Sequence, residues 1–123
     1  MTGNFNDAAA IYLQIAAMLE DDILRGVLRA EEQAPSQNEL ARAYSINPAT
    51  AAKGLAQLVD EGILYKKRGI GMFVAQDGRE KVIAKRKNAF YETYVVGLAK
   101  EAKALGISQE ELAAMLQKAG REQ

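Results

Sequence analysis

A chain of 123 residues suits one domain with a small appendage, and at 49% hydrophobic it can bury a core. Its formal net charge is zero, so bulk charge draws it neither to nucleic acid nor to membrane, and it has no cysteine or histidine. That excludes disulfides, thiolate metal sites, a thiol nucleophile and the usual acid/base at neutral pH.

The opening "MTGNFNDAAA" lacks the basic-then-apolar order of a signal peptide. No segment reaches the roughly 18 apolar residues that span a bilayer. A cytosolic protein with no membrane partner is expected. Residues 8–25 read as an amphipathic helix, with Ile11, Ile15, Leu19 and Ile23 recurring every four positions. Asp7 can cap its start, and Gly26 lies just past its end. The stretch "VLRAEEQAP" reads as a connector, and Pro35 blocks any helix running through it.

Ser36 with Glu39 three residues on is a capping box, opening a short helix at 37–44 with Leu40 and Ala41 inward. "YSIN" interrupts it. Asn47 as N-cap and Pro48 at the first position then open a helix over 48–61, with Ala51, Leu55 and Leu58 on one face. Gly62 ends it. Two helices joined by a turn of about four residues have helix-turn-helix spacing. Bland helical bundles contain such pairs too.

"ILYKK" and "MFVA" read as two short strands joined by Arg68-Gly69-Ile70-Gly71. A phosphate-cradling glycine loop must lead into a helix, whose amino end holds the anion. Here a strand follows, so the nucleotide reading is rejected. A hairpin with a flexible cationic tip, directly after a helix-turn-helix, is a wing. The glycines let the backbone turn, and Lys66, Lys67 and Arg68 attract phosphates. The competing explanation is a solvated hairpin whose charges guard an exposed edge.

Charge distribution favours the wing. Residues 1–35 hold 2 basic and 6 acidic side chains, residues 36–87 hold 10 and 5, and residues 88–123 hold 4 and 5. The local balance therefore runs −4, +5, −1, with the excess around the hairpin.

A long helix is expected over 79–105, basic at its start and apolar or aromatic in its middle. Gly106 stops it, and a second capping box, Ser108 with Glu111, opens a last helix. Such a pair cannot bury its apolar face alone. Ile83, Phe90, Tyr91, Tyr94, Val95, Leu98 and Leu105, with Leu112, Met115 and Leu116, are expected to form a dimer interface. The fold class is thus mainly α with a small β-hairpin: a winged helix-turn-helix domain over 1–76 and a two-helix dimerisation segment over 77–123.

The pattern of residues 11–74 resembles the GntR family of bacterial winged-helix transcription regulators. "IYLQIAAMLEDDILRGVL", "APSQNELARAYSINPATAAKGLAQLVDEGIL" and "KKRGIGMFV" carry the likeness, with "PSxxELA", "INPAT" and "RGIGMFV" the most specific parts. "INPAT" and the short tail are similar to the YtrA-like branch. The resemblance implies a homodimer on an imperfect palindrome of double-stranded DNA near a promoter, usually a repressor, with neighbouring transporter operons a common target of the branch.

It also implies DNA contacts. Ser36, Gln37 and Asn38 match the start of the second helix, where the family touches a phosphate. Asn47, Pro48, Ala49 and Thr50 match the first turn of the third, with Lys53 one turn on. Lys67, Arg68, Gly69, Ile70 and Gly71 match the wing, laid against the minor groove. Asn38 and Ala52 depart from the pattern, standing where many members carry Arg or, at the second position, Gln. Readout is therefore expected through Asn47, Thr50, Lys53, thymine methyls and DNA shape.

The tail is too short to enclose a drug-sized ligand. A small-molecule effector between protomers, near Phe90, Tyr91 and Tyr94, competes with a plain dimer core there. The rival function is a winged helix that binds protein and not DNA, and the basic middle segment argues against it. An enzyme would need paired carboxylates. The acids at Glu20-Asp21-Asp22 and Glu31-Glu32 read as exposed, so no catalytic residue, metal or cofactor is expected.

Overall fold

The computed structural model describes residues 10–123. The first helix, α1, runs Ile11–Leu24 and buries Ile15, Ala16, Met18, Leu19 and Ile23. Ala10 is its N-cap, without a side-chain cap. The expected start at residue 8 and cap at Asp7 lie outside the described residues. Gly26 takes φ +80 just beyond the end.

Helix α2 spans Gln37–Tyr44 and α3 spans Pro48–Asp60. Both α1 and α2 pack on α3. The crossing of α1 and α3 is close because position 54 is glycine: a Cβ there would stand 2.9 Å from the Tyr12 carbonyl and 3.1 Å from Ile15 Cγ2. Gly62, at φ +73, releases the chain from α3 into the hairpin that follows.

Strands β1, Leu64–Lys67, and β2, Gly71–Val74, pair antiparallel with Leu64 opposite Val74 and Lys67 opposite Gly71. The segment read as a mere connector adds to them. Gln33 bridges Phe73, and the Glu31 and Ala34 N–H groups donate to the Val74 and Met72 carbonyls, each at 2.8 Å. The outer edge of β2 is thereby paired. This was not legible locally, since Pro35 and the charges disguise a strand whose partner lies some forty residues on.

Ile15, Leu19, Ile23, Leu58, Ile63, Leu64, Val74 and Val82 form the centre of the core, each under 2% exposed. Burying each is worth about 1.5–3 kcal/mol before entropy is counted. Val82 belongs to α4, Gly78–Phe90. The chain divides into two compact units between Lys85 and Arg86, within α4. The early turns of α4 belong to the first unit for visible reasons: Val82 is buried there, Arg79 Nε donates to the Leu24 carbonyl at 3.0 Å, and Lys85 Nζ donates to Glu20 and Glu61 at 2.6 and 2.9 Å. Glu20, read from sequence as an exposed acid, is in fact 4% exposed.

In the second unit the expected single helix is interrupted. A π-helical turn at Tyr91–Val95 separates α4 from α5, Val96–Ala104. Helix α6 spans Gln109–Arg121, and the Ser108 hydroxyl accepts the Glu111 N–H at 3.1 Å. Of this unit's hydrophobic residues Ala102 is buried, and Val95, Ile107 and Leu112 are half-buried.

Candidate nucleic-acid interface

The helix-turn-helix is fixed at its two starts. Glu39 N–H donates to Ser36 Oγ at 3.1 Å, and Ser36 N–H donates back to Glu39 Oε1 at 2.9 Å, completing the capping box. The bond from the Ser36 backbone, followed by that from its hydroxyl, holds the Glu39 carboxyl below its ordinary pKa. Asn47 Oδ1 accepts the Ala49 N–H at 2.8 Å, which turns its two amide hydrogens into the donors it can offer a ligand. Ser45 makes the turn between the helices in the left-handed region, at φ +53.

The wing crest is Arg68-Gly69-Ile70, closed by Ile70 N–H donating to the Lys67 carbonyl at 3.0 Å. Gly69 takes φ +76 and Gly71 φ +145, conformations that side chains resist. Ile70 is 63% exposed, an apolar point on a cationic tip. Lys67 Nζ lies 4.1 Å from the Phe73 ring centroid, a cation–π contact that aligns it along the strand. Behind the wing, the Tyr65 hydroxyl donates to Glu31, and that carboxylate pushes the phenol pKa up.

The residues expected to meet DNA fall on two open clefts of the first unit and the surface beside them. One cleft is lined by Ser36 and Gln37 from α2, and by Lys66, Ile70 and Gly71 from the wing, with Gln33 between them. The other is lined by Ala49, Thr50 and Lys53 from α3, and by Ala10, Ile11 and Tyr12 from α1. Asn38, Asn47, Pro48, Lys67, Arg68 and Gly69 are exposed.

Two participants escaped sequence reasoning. Tyr12 carries Lys53 Nζ 4.2 Å from its ring centroid, so the ammonium has a fixed platform on the neighbouring helix. Gln33 Nε2 donates to the Ile70 carbonyl at 3.0 Å. No signal in the chain marks either partnership, because each joins residues distant in sequence.

The residues expected at a dimer interface distribute differently. Ile83 is half-buried in the first unit, and Val95 and Leu112 are half-buried in the second. Phe90, Tyr91, Tyr94, Leu98, Leu105, Met115 and Leu116 are exposed, from 41% at Leu98 to 66% at Leu105. The Phe90 and Tyr94 rings meet at a tilt of 49°, with centroids 5.5 Å apart. Among the described residues no acidic cluster could hold a metal, and no helix is long and apolar enough to cross a membrane.

Comparison with known proteins follows these lines. Residues 11–74 match the model of the gntR family of bacterial regulatory proteins. The HTH-type transcriptional regulator YhcF of Bacillus subtilis is 29% identical over 112 residues, 91% of either chain. Several longer curated regulators and repressors also match, and the chain spans only 29–42% of their length. Among solved structures, a GntR-family transcriptional regulator from Bacteroides thetaiotaomicron superposes with a TM-score of 0.75 at 34% identity, over 92% of this chain and 98% of that one. The DNA-binding domain of AraR, in complex with its operator ORE1, superposes with a TM-score of 0.53 at 27% identity, over 61% and 94%.

Proposed function

The chain belongs to the gntR family of bacterial regulatory proteins and is a DNA-binding transcription regulator; from that premise we propose that it is a repressor, binding an imperfectly palindromic operator as a homodimer. The observation that carries this reading is the shared exposure, on one unit, of the α3 amino-terminal turn and a cationic wing crest. The fold likeness to an operator-bound domain supports it.

In this reading the first turn of α3 enters the major groove. Asn47 offers its amide hydrogens, Thr50 its hydroxyl, and Ala49 an apolar surface suited to a thymine methyl. Lys53, held against Tyr12, reaches an acceptor from one side only. Ser36, with Gln37 and Asn38 beside it at the start of α2, lies against a phosphate. Arg68 and Ile70 approach the minor groove, where Gly69 and Gly71 permit close backbone approach.

The second unit brings two copies together through Phe90, Tyr91, Tyr94, Leu98, Leu105, Met115 and Leu116, as dimer core and not as an effector pocket. Half-sites should then repeat about one DNA turn apart, roughly 10 base pairs, or a small multiple. The resemblance of the "INPAT" stretch extends the reading to the YtrA-like branch, and with it a cytosolic repressor of a neighbouring transporter operon.

The test is a titration of the purified protein against the duplex upstream of its own gene, with a scrambled duplex of equal length, at low and near-physiological salt. Tight binding to the native duplex alone, falling steeply as salt rises, is expected. Equal binding to both would remove sequence specificity. Absence of binding to either at low salt would overturn the wing assignment in favour of a protein-binding winged helix.

A further inference from the structure

The crest of the wing is held from outside the hairpin. Within the hairpin it has the single Ile70-to-Lys67 turn bond. The other hydrogen bond to the crest comes from 37 residues upstream, where Gln33 Nε2 donates to the Ile70 carbonyl at 3.0 Å. Gln33 is itself anchored: its backbone bridges Phe73, and the next residue, Ala34, donates to Met72. Position 71 is shaped to admit the amide. A Cβ on Gly71 would stand 2.6 Å from Gln33 Nε2, so glycine at 71 and the carboxamide from 33 occupy complementary space.

A crest with glycine at 69 and again at 71 would otherwise sample many backbone shapes, and each would have to be narrowed to one when it enters a groove. A bond that narrows them beforehand raises the fraction of molecules competent to bind. We propose that Gln33 is a positioning residue for DNA recognition: its carboxamide presets the wing crest in the shape that meets the groove, without itself touching DNA. This rests on the wing reading above.

Three measurements on the full chain test it with Gln33→Ala. Backbone amide relaxation in the free protein should show Gly69, Ile70 and Gly71 falling from rigid order parameters near 0.85 to below about 0.6. The melting temperature should stay within error, because the bond lies at the surface. Affinity for the operator duplex should fall about 3–10-fold, as expected if the competent fraction drops by that factor, with the salt slope unchanged. In a chain whose Arg68 and Ile70 are both glycine, Gln33→Ala should cost no further affinity.

A salt slope shallower by about one would identify Gln33 as a phosphate contact and overturn the proposal. So would a full, additive loss in the crest-less background, or a lowered melting temperature accounting for the weaker binding. Unchanged crest order would sink the clamp while leaving the DNA reading intact. Failure of the wild-type protein to bind any duplex would instead sink the DNA reading, and the positioning role with it.

Discussion

The two units of this chain solve the problem of apolar surface in opposite ways. Up to Lys85, most of the large aliphatic side chains are closed in by the chain itself, and α1, α2, α3, the wing and the start of α4 share one core. From Arg86 onward, Ala102 is the one fully buried residue, while two tyrosines, a phenylalanine, leucines and a methionine face outward. A hydrophobic core closed by its own elements makes a domain. An open apolar face on short helices is surface awaiting a second molecule, and in our proposal that molecule is a second copy. In that proposal the unit up to Lys85 specifies the reading head, and the smaller unit from Arg86 leaves its apolar surface to pairing.

Substitutions can break that contrast. Leu98→Arg puts a charge on the open face, where the proposal has its largest effect. Palindrome affinity should fall by roughly 100-fold or more with loss of the second attachment, and sedimentation should show a monomer whose first unit unfolds at the wild-type temperature. Intact dimer mass in this variant would show the interface misplaced.

Gly54→Ala tests the closed unit. Alanine gains about 1 kcal/mol of helix propensity, but its Cβ would press on the Tyr12 carbonyl, and backbone cannot swing aside. A net loss of about 1–3 kcal/mol in chemical denaturation is expected. Gly97→Ala is its counterpart in the second unit, with nothing within 4 Å of the added carbon. It should be neutral or stabilising unless the partner copy packs on that spot, in which case the dimer would weaken.

Lys85→Met acts at the seam. Glu20 is buried, but the Lys85 side chain is 43% exposed and solvent screens the pair, so about 1–2 kcal/mol is expected. Burial opposes the charge on Lys85, yet hydrogen bonds to Glu20 and Glu61 outweigh it and raise its pKa above the ordinary 10.5. A raised pKa gives stability that is complete below 10.5 and lost as pH rises through the folded value. Wild type should therefore lose more stability than Lys85→Met in alkaline unfolding titrations, and parallel curves would count against the pair.

The smallest effect belongs to Glu39. Its lowered pKa gives stability present above its ordinary 4.5 and lost as pH falls through the folded value. Glu39→Gln should flatten acid denaturation only in that window.

What was legible in the chain was what short-range chemistry decides. Ser36 with Glu39, and Asn47 with Pro48, placed the starts of α2 and α3, and Gly62 the exit into β1, because a cap involves neighbours three or four residues away. The runs of β-forming residues on either side of Arg68-Gly69-Ile70-Gly71 marked the hairpin for the same reason. Features that depend on distant partners were hidden. Residues 31–34 join the wing, Glu20 is buried beneath Lys85, and Tyr12 supports Lys53, yet none of these positions differs in type from ordinary connector, acid or helix residues. The π turn at Tyr91–Val95 was equally hidden, since an i→i+5 ladder leaves no compositional mark. The residues proposed to meet DNA rest on resemblance, and the structure adds how they are held.

The pairing of residues 31–34 with β2 also bears on the order of folding. An isolated two-stranded hairpin is marginal in water, and here its third segment is separated from it by the whole helix-turn-helix. The wing cannot complete its ladder until α2 and α3 have closed that long loop, a step that costs chain entropy before any bond is returned. The Val74 amide, which donates to the Glu32 carbonyl at 3.0 Å, should therefore exchange with solvent only when the entire first unit opens. The hairpin, though its crest is exposed, would be among the last parts of the first unit to form and as stable as the core behind it.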